Sequence, residues 1–308
     1  MDLPLLVIAG PTGVGKSSVA VEVARAVGGE VVGADSMQVY RGMDIGTGKL
    51  RRDEMGGVPH HMIDVWQPQE RGSAGRFLGE ARAAIGAIHG RGRLPLLCGG
   101  TGLYIRAVVE GLAAGAERDR PIEVQLEGRL ATAGAAVLHA ELTELDPAAA
   151  ARIPASDHFR LLRALGVCLA TGRPFTELQG GATHPGGYRT IYLCLTRPRA
   201  HLYDRINARV EAMFRDGLVA EVAGLAPRLG PTATGAIGYR ECLRLLAGEM
   251  DEAEAIASIQ AASRRYAKRQ LTWFRAVAGV RFIDLEEAGA MDEVLAAARD
   301  LAGHGLLP

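Results

Sequence analysis

The chain has 308 residues, enough for two domains or one large domain carrying an insertion. Hydrophobic residues make up 48% and charged residues 23%, which excludes global disorder and supplies material for a sizeable core. Lysine plus arginine and aspartate plus glutamate both number 35, so the neutral total neither demands nor forbids a nucleic-acid partner; only clustering of basic residues can speak to that.

In chain order, residues 5–9, 30–34, 61–65 and 94–98 are short apolar runs that end in turn or polar residues, the pattern of buried parallel strands. Between them lie helix-length stretches at 17–27 and 74–90. Alternation of this kind predicts βαβ units and a doubly wound parallel sheet flanked by helices. Residues 113–187 read differently, with helical patterns at 122–133, 135–145 and 158–171. Ser156 or Asp157 serves as N-cap of the last, and Gly172 and Pro174 stand just past its end. The expected organisation is therefore a P-loop core of residues 1–112 and 188–308, interrupted by an all-helical insertion at 113–187. The core resumes with strands at 190–195 and 280–285 and helices at 199–225 and 252–278. The apolar N-terminal run is too short for a signal peptide or a membrane span, and no later run approaches one, so a cytoplasmic protein without membrane contact is expected. Cys98, Cys168, Cys194 and Cys242 form no CxxC pair and are expected to be reduced, buried thiols.

Gly10-Pro11-Thr12-Gly13-Val14-Gly15-Lys16-Ser17 matches GxxxxGK[ST] at every defined position, after a strand and before a helix. Glycines let successive N–H groups point at an anion, the helix adds its positive dipole end, Lys16 brings a point charge, and the Ser17 hydroxyl is placed to ligand Mg²⁺. The motif predicts a di- or triphosphate ligand. There is no NKxD signature for guanine, and the run at 61–65 holds a single acid, Asp64, where motor ATPases carry adjacent ones. A small-molecule kinase and a transferase with diphosphate as leaving group both fit. Asp35 ends the strand beside the P-loop strand, in the crevice where open α/β sheets bind ligands, and Thr101 follows another strand into the same crevice. An Asp there can equally cap a turn; the polar cluster after it favours a functional role as base or metal ligand.

Several blocks together resemble the bacterial tRNA dimethylallyltransferase (isopentenyltransferase) family. They are the phosphate loop, Asp35-Ser36 with Tyr40-Arg41-Gly42-Met43-Asp44-Ile45-Gly46-Thr47, Pro59-His60-His61 with Asp64, and Gly99 to Tyr104. Gly238-Tyr239-Arg240 and Ala267-Lys268-Arg269-Gln270-Leu271-Thr272-Trp273-Phe274-Arg275 complete the series. Gly48 departs from the family's more usual alanine, and residues 113–120 differ from its commoner proline-rich stretch.

The resemblance implies transfer of a dimethylallyl group from dimethylallyl diphosphate to N6 of the adenosine immediately 3′ of the anticodon (tRNA position 37), releasing diphosphate. It implies Asp35 as the base for the N6 proton and Thr101 near the reacting centre. Lys16, the loop amides, Mg²⁺ at Ser17 and a basic side chain would hold the diphosphate. For that side chain Arg209 is the first choice and Arg205 the second, four apart on one helical face. Contacts to the tRNA anticodon stem-loop are implied at Asp35, Ser36, Met37, Gln38, Thr101 and Glu123, and at Phe159, Arg160, Leu161, Leu162 and Arg163. Tyr239 and Arg240 join them. Arg264, Arg265, Lys268, Arg269 and Arg275 crowd one helical stretch, and Arg265, Lys268 and Arg269 are read as an electrostatic footprint for RNA, whereas Tyr266 and Trp273 could be core. No obligate protein partner is evident. Two other readings compete: a P-loop small-molecule kinase, and a nucleotide-gated RNA-binding module in which Asp35 is structural.

Overall fold

The computed structural model describes residues 3–112, 120–178 and 186–303. The chain divides into two units, residues 1–109 with 187–308, and residues 110–186.

In chain order the elements are β1 (Leu3–Ala9), α1 (Lys16–Val27), β2 (Glu30–Gly33), β3 (His60–His61), α2 (Ala74–His89), β4 (Pro95–Gly99) and α3 (Gly102–Glu110). Then come α4 (Arg120–Ala133), α5 (Ala135–Leu145), α6 (Pro147–Ala150), α7 (His158–Thr171) and α8 (Phe175–Leu178). After β5 (Tyr188–Thr196) follow α9 (Arg199–Arg215), α10 (Leu218–Leu225), α11 (Pro231–Thr234), α12 (Tyr239–Leu246), α13 (Glu252–Arg275), β6 (Arg281–Asp284) and α14 (Ala290–Gly303).

The first unit is built on one six-stranded sheet in the order β3-β2-β4-β1-β5-β6, every pairing parallel. Strand β1 lies inside it, with Val7 opposite Leu97 on one side and Tyr192 on the other. Its apolar run is continuous because both faces are covered. Leu5, Val7 and Ala9 join a core with Phe77, Ala81 and Ile85 of α2, while Leu6 and Ile8 join one with Val23 of α1 and Val294 and Leu301 of α14. The second unit has its own core, in which Leu126, Leu138, Leu142, Leu161 and Leu165 meet between α4, α5 and α7. Asp157 caps α7 by accepting from the Arg160 N–H, and Gly172 closes it in a left-handed conformation. The expected start of the insertion at 113 adjoins 113–119, which lie outside the described residues.

Two sequence expectations need correction. The strand expected over 61–65 is only β3, because Met62 and Asp64 take left-handed conformations, φ 61° and 56°. There the chain leaves the sheet and pairs with the loop after β2: Asp64 N–H donates to Gln38 O, and Val65 N–H to Val39 O. The helix expected over 199–225 is broken by Gly217, φ 101°, which ends α9 and starts α10 in a new direction. The four cysteines are buried and unpaired to one another. Among the described residues, no helix is long and apolar enough to cross a membrane.

Candidate active site

The phosphate loop joins β1 to α1 at the carboxyl ends of the strands, and it forms one side of a cavity of about 420 Å³. Thr12, Gly13, Gly15, Lys16 and Ser17 line it, facing Asp35, Gln38, Thr47 and Gly48 from the segment after β2, Cys98 and Gly99 from β4, Arg205 and Arg209 from α9, and Gln270 from α13. Gly15, φ 109°, sets the left-handed turn into α1, whose first-turn N–H groups have no intrahelical acceptor and are available to an anion.

Three loop carbonyls are taken by cationic side chains. Lys16 Nζ donates to Pro11 O (2.9 Å), Arg205 Nε to Gly13 O (2.9 Å) and Arg197 Nε to Val14 O (3.0 Å). Pairing with cationic side chains offsets the negative ends of these carbonyls, so the loop and its surroundings favour an anion. Arg209 Nη2 donates instead to the Thr12 hydroxyl at 2.6 Å, and its Nε is buried without a hydrogen-bond acceptor, as a group awaiting an anion would be. Burial holds both the Lys16 ammonium and the Arg209 guanidinium below their ordinary pKa ranges, and the Asp35 charge opposes the shift in each case. Gly48 is where a Cβ would stand 3.3 Å from Arg209 Nη1, so the departure from alanine leaves room around the guanidinium.

Asp35 does both things its position allows. Its Oδ1 accepts from the N–H groups of Met37 (2.9 Å) and Gln38 (3.3 Å), closing the turn after β2, and its carboxylate also lines the cavity beside Lys16 and Arg209. Thr101 is tied to the same turn: its Oγ1 accepts from Ser36 N–H at 3.0 Å, and its own N–H donates to Ala34 O. Burial pushes the Tyr266 phenol up to about 12, so it stays neutral.

The other expected positions divide. Arg265, Lys268 and Arg269 are exposed along α13, whereas Arg264 turns to Asn207 of α9 at 2.5 Å. Tyr266 is half-buried and Trp273 is 38% exposed, with Arg106 over its ring, so neither is plain core. In the second unit Phe159 is 70% exposed at the start of α7 beside the exposed Arg160, and Glu123, Leu162 and Arg163 are half-buried. Leu161 and Tyr239, expected to touch RNA, have completely buried side chains. Leu161 fills the core of the second unit, and the Tyr239 hydroxyl donates to Glu221. Arg240 is exposed and pairs with the buried Glu241.

Three residues escaped the sequence reading. Arg197 is one; Gln270, which bonds Thr12 and Gly100, is another. The third is Glu221, whose carboxylate accepts from the N–H groups of Asp44 (3.0 Å), Ile45 (2.7 Å) and Gly46 (3.0 Å) and anchors the segment that continues into Thr47 and Gly48 of the cavity wall. Gln270 lies inside a block recognised for its charge, where the spacing of 266 and 270 on one face was the available signal. For Glu221 and Arg197 no local signal exists.

Sheet and cavity together define an α/β protein of the P-loop class whose phosphate loop faces an arginine and a carboxylate. The profile of the IPP transferase family matches residues 38–277, and that of isopentenyl transferase matches residues 3–67. The chain belongs to the IPP transferase family. It is 48% identical over 288 residues to the tRNA dimethylallyltransferase of Symbiobacterium thermophilum, covering 92% of this chain and 90% of that one. The enzyme of the same name from Syntrophobacter fumaroxidans is 46% identical, covering 92% and 84%. Among solved structures, the tRNA isopentenylpyrophosphate transferase of Bacillus halodurans aligns with a TM-score of 0.72 at 40% identity, over 97% of each chain. A eukaryotic dimethylallyltransferase caught acting on tRNA aligns with a TM-score of 0.85 at 27% identity, over 98% of this chain and 80% of that one.

Proposed function

We propose that the chain is a tRNA dimethylallyltransferase, a prenyltransferase that moves a dimethylallyl group from dimethylallyl diphosphate to N6 of the adenosine 3′ of the anticodon and releases diphosphate. The observation that carries this reading is the placing of an anion grip (Lys16, Ser17, Arg209) and the carboxylate of Asp35 in one cavity. A phosphoryl-transfer enzyme and a prenyl-transfer enzyme both need the grip. The curated relatives, at 46–48% identity, carry the prenyl-transfer name and favour it over a small-molecule kinase or an RNA-binding switch.

The chemistry balances within that cavity. The N6 lone pair attacks the allylic carbon, the carbon–oxygen bond breaks, and its electron pair leaves with the diphosphate. The N6 proton passes to Asp35. Lys16, Arg209 and the N-terminus of α1 stabilise the diphosphate as its charge grows, which lowers the barrier to leaving. A hard divalent cation fits the donor set: a serine hydroxyl and a carboxylate line the cavity, the oxygen ligands Mg²⁺ takes beside phosphate oxygens. Ser17 would hold it, and the ion would neutralise charge on the diphosphate. The exposed Arg265, Lys268 and Arg269 of α13, and Phe159 and Arg160 of the helical unit, supply charge and an aromatic surface suited to tRNA.

The test is to incubate the protein with unmodified tRNA, Mg²⁺ and labelled dimethylallyl diphosphate, with ATP in a parallel reaction. Label is expected in the tRNA with no ATP turnover. Steady ATP hydrolysis without prenyl transfer would overturn the reading in favour of the kinase or switch.

A further inference from the structure

Helix α13 has two working faces. Arg265, Lys268, Arg269 and Thr272 are exposed, while Gln270 is 5% exposed and points into the sheet's carboxyl end. Its carboxamide spans two segments that are far apart in sequence. Oε1 accepts the Thr12 N–H at 2.8 Å, and Nε2 donates to Gly100 O at 2.9 Å. A backbone N–H can only donate and a carbonyl can only accept, so a single orientation of the amide satisfies both, and no other side chain of this length does so without a proton change. The approach is close: a Cβ at position 100 would lie 2.2 Å from Nε2 and would displace the amide from this bond.

The residue after Gly100 is Thr101, whose Oγ1 receives the Ser36 N–H, next to Asp35. Gln270 thus touches the phosphate loop at Thr12 and, at Gly100, the turn that carries Thr101, the support of Asp35. Gln270 itself lines the cavity between them. Prenyl transfer requires the leaving diphosphate and the attacking nitrogen's base at a fixed separation, and misplacement by about 1 Å costs about 100-fold in rate.

We propose that Gln270 is a positioning residue for the transfer reaction, locking the phosphate loop to the Gly100–Thr101 turn so that the diphosphate grip and Asp35 keep their spacing. This rests on the prenyl-transfer reading, and the experiment separates the two.

Single-turnover transfer and equilibrium tRNA binding are measured for the wild type, Gln270→Met and Gln270→Glu, each with a melting curve. Gln270→Met keeps the length and loses both bonds; its transfer rate is expected to fall about 10- to 100-fold, with tRNA affinity within about twofold of wild type, as expected when positioning and not RNA binding is lost. Gln270→Glu can still accept from Thr12, but as a carboxylate it opposes Gly100 O and the incoming diphosphate. Only its protonated form restores the donor, so its rate relative to wild type at the same pH should rise as pH falls. Should Gln270→Met melt early, that internal comparison across pH decides alone. A ratio that stays flat with pH, or wild-type rates in both variants, overturns the role of Gln270 while leaving the function intact. A wild type that binds tRNA but transfers nothing overturns both.

Discussion

Arg209 Nη2 donates to Thr12 Oγ1 at 2.6 Å, joining helix α9 to a loop 197 residues earlier in the chain. The guanidinium is therefore held at the mouth of the phosphate loop before any ligand arrives. Arg205 also lines the cavity, but its Nε is committed to the Gly13 carbonyl and its side chain is exposed. Arg209→Ala should lower kcat/KM for dimethylallyl diphosphate by about 10²- to 10³-fold, as loss of a preorganised donor to a developing charge does. Arg209→Lys should recover part of this, because a point charge lacks the fork. Arg205→Ala should cost about tenfold or less, the loop being loosened and not disarmed. Steady-state kinetics on the three variants checks the order, and a larger loss at Arg205 would reverse the assignment.

Asp35→Asn separates the two tasks of that residue. The amide oxygen can still accept from Met37 and Gln38, so the turn after β2 persists, but the side chain no longer takes a proton. Transfer should fall by about 10²- to 10⁴-fold, the range of a positioned general base. tRNA affinity, read by filter binding, should change by no more than a few fold. A collapse of tRNA affinity would mean that Asp35 positions RNA.

Glu221 gathers three consecutive backbone N–H groups and the Tyr239 hydroxyl on one carboxylate. Glu221→Ala leaves those donors without their acceptor and should destabilise the fold by about 2–3 kcal/mol, the scale of lost hydrogen bonds to a charged group. Differential scanning calorimetry should show a melting temperature lower by several degrees. An unchanged melt would show that solvent replaces the carboxylate at no cost.

Acid sensitivity should centre on Glu30. This buried carboxylate at the start of β2 is held down to about 2, chiefly by hydrogen bonds from Arg91, with His61 assisting. A carboxyl whose folded pKa lies below its unfolded value contributes stability above the ordinary value and loses it as pH falls through the folded one. The window runs from about 4.5 down to about 2. Urea midpoints should fall across that window in the wild type and fall less in Glu30→Gln; equal slopes would place the acid response elsewhere.

The phosphate loop and the parallel sheet were legible because their signals are local: a glycine pattern between an apolar strand and a helix, and apolar runs that alternate with helices. Asp35 and Thr101 were legible as residues just past strand ends. What stayed hidden depends on contacts across the chain. Nothing near Glu221 announces that it will meet Asp44, 177 residues away. Gln270 was overlooked because its neighbours' charges drew the reading outward, whereas the amide works on the inward face. Tyr239 and Leu161 show another side of this: the resemblance marks both as RNA contacts, and no local pattern announced that both side chains would be completely buried.

The most direct measurement is mass spectrometry of nucleosides from unmodified tRNA incubated with the protein, dimethylallyl diphosphate and Mg²⁺, with pyrophosphate release followed in parallel and a chelated control. The expected result is N6-dimethylallyl adenosine next to the anticodon, one pyrophosphate released per group transferred, and neither product in the chelated sample. Pyrophosphate release without a modified adenosine, or modification at another nucleoside, would contradict the assignment of this cavity to prenyl transfer onto tRNA.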